Sequence, residues 1–173
     1  MSALLRASVL SACASALFAS TSAFAMPLSH PLRFFEGRTE SVGTMKTIMK
    51  KPWHIRSIGH GSIAPDGSLT LVQQVHDEGE KPHQRVWKIR QVGPQKFAGS
   101  MSEAAGPVTI EQIGQGYRFK FKVKGGLSAE QWIIPSADGI SGKSTLVVRK
   151  FGMAVAKAEG TIRRLSEQAS IAP

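Results

Sequence analysis

The sequence has little cysteine, few acids and no long apolar run in its interior. Its one cysteine among 173 residues is Cys13. We expect the segment that carries it to be removed, which would leave no thiol for a disulfide, a nucleophile or a zinc site. Twelve Asp and Glu stand against 22 Lys and Arg, for a formal net charge of +10. Few acids leave few candidates for a pair of catalytic carboxylates, and the excess positive charge indicates a preference for anionic surfaces.

The N-terminal segment has the pattern of a secretory signal. Arg6 is its only charge, an apolar run extends from Ala7 to Phe18, and the small-residue pattern Ala23–Ala25 follows. The run is shorter than the roughly 20 residues that cross a bilayer. We therefore interpret residues 1–25 as a signal peptide, cleaved after Ala25, and predict a periplasmic protein. Lipidation at Cys13 is the less favoured alternative, because Cys13 follows Arg6 too closely for the usual apolar region.

The rest of the chain has no convincing amphipathic helix. Prolines keep the lead-in over residues 26–37 extended, apart from one helical turn at 32–37 that would place Phe34 and Phe35 as a plug at one end of the domain. Strands and tight turns follow over residues 38–165, and the polar residues 166–173 are expected to form a flexible tail. This organisation predicts one domain, which is large enough to bury a sizeable core.

The segment Tyr117–Lys124 shows the strand pattern most clearly, because apolar and basic residues alternate along it. Alternating side chains point to opposite faces of a strand. A helix would scatter them around its circumference. One face would carry Tyr117, Phe119, Phe121 and Val123, and the other Arg118, Lys120, Lys122 and Lys124. The pattern predicts a sheet with an apolar interior and a cationic outer surface.

Nine or ten such strands recur every 8–14 residues between short turns. Pro65-Asp66-Gly67 and Gly125-Gly126 are examples of the turns, and Gly43 is expected to form a bend or bulge. This spacing is typical of an up-and-down antiparallel sheet. Exposed edges disappear if the sheet closes, so we predict an all-β, antiparallel barrel of about 8–10 strands. A β-sandwich is the alternative.

Three segments resemble one family of small bacterial envelope proteins. They are the charged turn and strand Asp77–Ile89 (DEGEKPHQRVWKI), the late segment Arg149–Ile162 (RKFGMAVAKAEGTI) and the FFEG opening at Phe34–Gly37. Together they are similar to the domain-of-unknown-function family 3833, over about residues 32–165. The resemblance implies an exported or lipidated protein with a lipocalin-like barrel. It also implies an acidic residue in the strand before the charged turn, where this sequence has Gln73.

Candidate catalytic and metal-binding groups are sparse. The histidines are scattered, and none lies two or four residues from another with a carboxylate beside it, so we predict no metal site and no cofactor. Asp77, Glu78 and Glu80 crowd one turn, where a solvated loop is the better interpretation than an acid–base pair. A nucleophile elbow of the Gly-x-Ser-x-Gly type is missing as well. We therefore predict that the protein is not an enzyme.

Aromatic residues provide the main candidates for a binding site. Most should form the barrel core, but some would line a small-ligand lumen if the barrel is partly open. Arg85 and Trp87 share one strand face, and an inward Arg85 would need either an acidic partner or the anionic end of a ligand. The candidate lumen residues are Arg85, Trp87, Trp132, Tyr117, Phe119 and Phe121.

Two functions remain open from these patterns. The first is a non-catalytic, lipocalin-like binder of a hydrophobic or amphipathic anionic small molecule, such as a fatty acid or lipid fragment. The second is a solid barrel that docks on an anionic envelope surface or an acidic partner through Arg118, Lys120, Lys122 and Lys124. Export makes nucleic acid an unexpected partner despite the basic charge. The sequence does not indicate an oligomeric state.

Overall fold

Alternation of apolar and polar residues extends through ten β-strands in the computed structural model, which describes residues 31–166. A short 3-10 helix, η1 (Pro31–Phe35), precedes them. The strands are β1 (Gly37–Thr47), β2 (Trp53–Ile63), β3 (Leu69–Asp77), β4 (His83–Gly93), β5 (Lys96–Met101), β6 (Val108–Ile113), β7 (Gly116–Val123), β8 (Leu127–Pro135), β9 (Ser141–Lys150) and β10 (Met153–Arg164). The predicted signal peptide, the start of the lead-in and most of the predicted tail lie outside the described residues.

The strands form a closed antiparallel barrel. Each pairs with its neighbours in the sequence, and β1 pairs with β10 to complete the ring. The predicted up-and-down barrel is therefore confirmed, and the alternative of a sandwich is wrong. Closure removes every exposed sheet edge, which would otherwise offer unpaired backbone groups to other chains. Among residues 31–166, no helix is long and apolar enough to cross a bilayer.

The alternating strand directions give the barrel two different ends. The connections 48–52, 78–82, 102–107, 124–126 and 151–152 lie at the end that we call the open end. The other four connections lie at the opposite end together with η1, which we call the closed end. Leu32, Phe34 and Phe35 of η1 are buried there in the core. Three apolar side chains thus fill this end of the barrel.

Two glycines make room for η1. A Cβ atom on Gly61 of β2 would overlap the carbonyl oxygen of Phe35, and one on Gly142 of β9 would lie 3.0 Å from Cζ of Phe34. Contacts that close leave no space for a side chain. Glycines at these inward positions therefore allow the helix to sit inside the strand ends.

Gly43 has a different role from the one predicted. It stands in regular register with Ile55 of β2 and Gly160 of β10, so it forms no bulge. The irregularity in this region lies in β10, between Ala154 and Ala156. A Cβ atom on Gly43 would lie 2.7 Å from the carbonyl oxygen of Glu159. The glycine is needed because β1 and β10 approach each other closely here.

Candidate ligand-binding site

A cavity of about 200 Å³ lies inside the barrel between η1 and the open end. Phe35 lines it from the closed end, and Met45, Trp53 and Asp77 line it near the open end. Its walls are mainly apolar because the inward positions of the strands carry aliphatic and aromatic side chains. These include Leu69, Leu71, Val75, Trp87, Ile89, Phe119, Ile133, Leu146 and Ile162.

Aromatic rings form one continuous wall. Phe119 of β7 meets Phe35 at 6.2 Å between ring centroids and Trp87 of β4 at 6.0 Å, both edge to face. Trp87 also meets Phe121 edge to face at 5.9 Å. Edge-to-face pairs stabilise a packed core beyond the area that they bury. The wall is therefore a rigid surface that joins the η1 plug to the middle of the barrel.

A few polar groups interrupt the apolar lining, and two pairs of them satisfy each other. The indole Nε1 of Trp87 donates to Oε1 of Gln73 at 2.8 Å, and Nε2 of Gln131 donates to Oγ of Ser144 at 2.9 Å. Gln73 is where the family resemblance implied an acid, and its amide oxygen here fixes the Trp87 ring. These bonds hold the lining in one arrangement and lower the cost of burying polar atoms.

Arg85 lies at the open end of the cavity and already has an acidic partner. Its Nε donates to Oε1 of Glu103 at 3.0 Å, and its Nη2 donates to Oε2 at 2.8 Å. The ring Nε2 of His83 lies 3.0 Å from the same Oε1. The Arg85 side chain is 28% exposed. An inward Arg85 was expected to need either an acidic partner or the anionic end of a ligand, and the structure shows the acidic partner, Glu103.

Asp77 presents the opposite situation. It ends β3 and lines the cavity near the open end. Its Oδ1 is buried and has no hydrogen-bond partner among the described residues. A buried carboxylate oxygen without a donor is costly. The open end of the cavity therefore offers a hydrogen-bond acceptor, Oδ1 of Asp77, whereas its cation, Arg85, is already paired with Glu103.

The predicted lumen residues of β7 face inward, but they do different things. Phe119 lines the cavity, Phe121 packs at the edge of the core against Trp87, and Tyr117 lies within the packed core near the closed end. Burial of the Tyr117 hydroxyl raises its pKa above the ordinary value of 10.0, because the charged tyrosinate is poorly solvated there. Only part of the predicted set therefore reaches the cavity.

The placement of Trp132 in the lumen is wrong. Its neighbours Gln131 and Ile133 line the cavity, and Trp132 points to the outer face. There the guanidinium of Arg118 lies 5.7 Å from the centre of its ring, and its Nε1 donates to Oε1 of Glu130 at 3.2 Å. The reason is the turn between β7 and β8: Val123 pairs with Leu127, so the loop has three residues and not two. One residue more in the loop reverses which side chains face inward.

The outer face of β7 is basic but partly neutralised. Arg118 forms an ion pair with Glu111 of β6, and this hydrogen bond lowers the pKa of the Glu111 carboxyl. Lys120 stands opposite Glu130 in the sheet. Lys122 and Lys124 are exposed near the open end. The four predicted anion-binding residues thus divide into two beside acids and two close to the barrel rim.

Sequence reasoning missed Glu103, Gln73 and Asp77 as groups of this site. Glu103 lies in the connection 102–107, where no pattern marks it, and only the electrostatic requirement of Arg85 pointed to such a partner. Within residues 31–166, no three His, Cys, Asp or Glu side chains are grouped so that they could hold a metal ion.

Solved structures with the same fold are only distantly related in sequence. An S-type phycobiliprotein lyase, CPES, from Guillardia theta superposes with a TM-score of 0.62 at 12% identity, over 79% of this chain and 91% of that one. Rv2717c from M. tuberculosis gives a TM-score of 0.59 at 15% identity, over 79% of this chain and 98% of that one. None of the curated proteins matches the chain. These similarities show a shared lipocalin-like barrel and nothing finer.

The family model described as "Protein of unknown function (DUF3833)" matches residues 7–164. The match extends from the N-terminal apolar run to the end of β10 and includes every strand of the barrel. It also covers the three segments whose resemblance suggested this assignment. The chain therefore belongs to the DUF3833 family.

Proposed function

We propose that the protein binds a small, mainly apolar molecule inside the barrel. The observation that carries this proposal is the internal cavity of about 200 Å³ with apolar walls and a few fixed polar groups, which is the usual composition of a small-molecule site. Its volume is below the range of about 300–1,000 Å³ that is common for drug-sized ligands. A slender molecule, such as a single acyl chain, fits this space better than a ring system.

The polar end of the ligand is the point at which the proposal departs from the sequence-based expectation. An anionic end anchored by Arg85 would have to compete with Glu103, which already accepts two hydrogen bonds from that guanidinium. A hydroxyl or an amine could instead donate to the unpaired Oδ1 of Asp77. We therefore favour a neutral or hydrogen-bond-donating end over a carboxylate.

We propose binding without catalysis. Arg85 and Glu103 neutralise each other and are joined by two hydrogen bonds. A similar fold occurs in a phycobiliprotein lyase, so an enzymatic role is the competing possibility for such a barrel. A periplasmic location after cleavage behind Ala25 completes the proposal and rests on the sequence pattern of residues 1–25. The intact mass of protein recovered from cells would test the cleavage site.

The head-group preference is tested with dodecanol, dodecylamine and dodecanoate, which share one chain and differ at the polar end. Isothermal titration calorimetry should show tighter binding of the first two than of dodecanoate. Leu146 lines the cavity from β9, whereas Val147 is its outward neighbour. The Leu146→Trp variant should fill the cavity and lose binding, and the matched Val147→Trp variant should retain it.

Two of the three tryptophans provide an internal check on location. Trp87 lines the cavity and Trp132 lies on the outer face. ω-Bromododecanol should quench the fluorescence of a variant that keeps only Trp87, and it should leave a variant that keeps only Trp132 nearly unchanged. Equal quenching of both, or equal binding by the two variants at positions 146 and 147, would contradict a site inside the barrel.

A further inference from the structure

The large apolar side chains most exposed to solvent among residues 31–166 lie together at the open end. They are Met49 at 93%, Phe151 at 87%, Ile48 at 75% and Met153 at 66%, whereas the next most exposed are about half exposed. The four belong to the β1–β2 and β9–β10 connections or their immediate ends. The two connections are neighbours because β1 pairs with β10, and the backbone N–H of Ile48 donates to the carbonyl of Val155 at 3.3 Å.

Phe151 occupies a backbone conformation that suits it poorly. The β9–β10 hairpin turns through two residues, Phe151 with φ of 51° and Gly152 with φ of 82°. Two-residue turns with positive φ at both positions favour Asn-Gly or Gly-Gly. A bulky residue in this region is strained; the turn requires the conformation but not a phenylalanine, and local strain of this kind is a pointer to function. The hairpin therefore holds a phenyl ring in water at the tip of the barrel at a conformational cost.

The segments that carry these apolar tips, and the hairpin next to them, contain cations but no acids. We define the half-rim as residues 46–51, 122–126 and 149–157, which belong to three adjacent hairpins of the open end. Its sequence has no Asp or Glu, and its cations are Lys46, Lys50, Lys51, Lys122, Lys124, Arg149, Lys150 and Lys157.

Two details sharpen this charge distribution. Lys46 and Lys157 stand directly opposite each other on β1 and β10, a like-charged pair that destabilises a sheet slightly unless an anion lies nearby. The acids Asp77, Glu78 and Glu80 lie outside the half-rim, at the end of β3 and in the β3–β4 connection, and Glu78 borders it, because its Oε2 accepts a hydrogen bond from the backbone N–H of His54 at 3.0 Å. The open end is therefore electrostatically polarised, and only one side of it suits an anionic partner.

We propose that the half-rim docks on an anionic lipid bilayer. The tips Met49 and Phe151 enter the boundary between head groups and acyl chains, and the surrounding lysines meet lipid phosphates. Apolar side chains among Lys and Arg are the combination by which surface-binding segments recognise anionic membranes, whereas an acidic protein would not require exposed rings at hairpin tips. Docking in this orientation places the open end of the cavity at the lipid surface. The inference does not depend on what the cavity holds.

Vesicle flotation tests this with phosphatidylcholine vesicles, with or without phosphatidylglycerol. All variants carry the same N-terminal segment, checked by mass, so that differences between them report on the barrel. Wild-type protein should float with the anionic vesicles, and high salt should weaken this. The Lys50→Gln/Lys51→Gln pair should reduce the partition coefficient roughly tenfold or more, since each lysine near the surface contributes about fivefold. The control pair Lys88→Gln/Arg90→Gln removes the same charge from the outer face of β4, across the barrel.

The apolar tip has its own matched test. Phe151→Asn should reduce binding about tenfold while raising the melting temperature, because Asn suits the turn better than Phe. Ile140→Asn, at the closed end, removes an exposed apolar group without affecting the half-rim. Equal losses from the test and control variants would overturn the proposal. So would unchanged binding in Phe151→Asn, which would show that charge alone attracts the protein to the vesicles and that the apolar tips do not enter them.

Discussion

The two ends of this barrel are built from the same strands, but one end buries its large apolar side chains and the other exposes them. At the closed end, η1 buries Leu32, Phe34 and Phe35, and Gly61 and Gly142 leave the space that the helix occupies. At the open end, apolar residues of similar size, such as Met49 and Phe151, stand in solvent among lysines. Composition alone does not separate the two ends. The difference lies in whether a segment of the chain returns to cover the apolar surface.

The comparison teaches where stability and function reside. Exposed apolar side chains contribute little to folding, because nothing covers them in the folded state. Substitutions at the closed end should therefore change unfolding, and substitutions at the open end should change binding. Each prediction below tests the stability side of this comparison, beginning with the largest expected effect.

The largest effect is expected from removing a ring of the aromatic wall. Phe119→Ala should lower the free energy of unfolding by about 3–5 kcal/mol, because it loses contacts with Phe35 and Trp87 and leaves a void. Phe151→Ala removes the same ring from the open end and should change stability by less than about 0.5 kcal/mol. Urea denaturation of both variants measures this. Similar losses would show that the two ends are not energetically distinct.

A smaller effect is expected from adding one methyl group at the closed end. Gly61→Ala places a Cβ against the carbonyl oxygen of Phe35, so η1 must shift outward, at a cost of about 1–3 kcal/mol. Gly93→Ala is the matched control at the same end, since the nearest atom to its Cβ would be 4.0 Å away. Thermal unfolding of the two variants gives the comparison. If Gly61→Ala is as stable as the control, the plug is not tightly seated.

Most of this architecture is predictable because its signals are local. The alternation over Tyr117–Lys124 follows from the two-residue period of a strand, and the structure forms β7 (Gly116–Val123) there. The residues that line the lumen were harder to predict, because the register of each strand decides which of its side chains point inward. Trp132 was assigned to the wrong face, which depends on a single residue in one turn; the only sign within β8 is Glu130, which shares the face of Trp132.

The polar groups of the site were beyond sequence reasoning for a different reason. Arg85 and Glu103 are 18 residues apart, and their contact depends on how the connection 102–107 folds over the open end. The sequence required some partner for an inward arginine but did not identify which acid. Likewise, the sequence places Asp77 in a solvated turn. In the structure it is the last residue of β3, and its Oδ1 is buried.

The smallest effect concerns the proton of Tyr117, the only tyrosine in the chain. Tyr117 faces the core, whereas its neighbour Arg118 faces solvent and Glu111. Because burial raises the pKa of Tyr117 above 10.0, the folded protein keeps this proton at a pH where the unfolded chain has lost it. The folded state then binds more protons than the unfolded state, so stability falls as pH rises above about 10. Below that pH, Tyr117 has no effect on the pH dependence of the free energy of unfolding.

Near-ultraviolet absorbance of tyrosinate follows this single group directly. The titration midpoint of the native protein should lie above that of the urea-unfolded chain. Tyr117→Phe should abolish the absorbance change and flatten the alkaline decrease in stability. The plug variant Gly61→Ala sharpens the comparison of the two ends, because an η1 pushed outward should admit water near Tyr117 and lower its midpoint. Phe151→Ala at the open end should leave the midpoint unchanged. A midpoint that moves equally in both variants would mean that the core around Tyr117 is hydrated from either end.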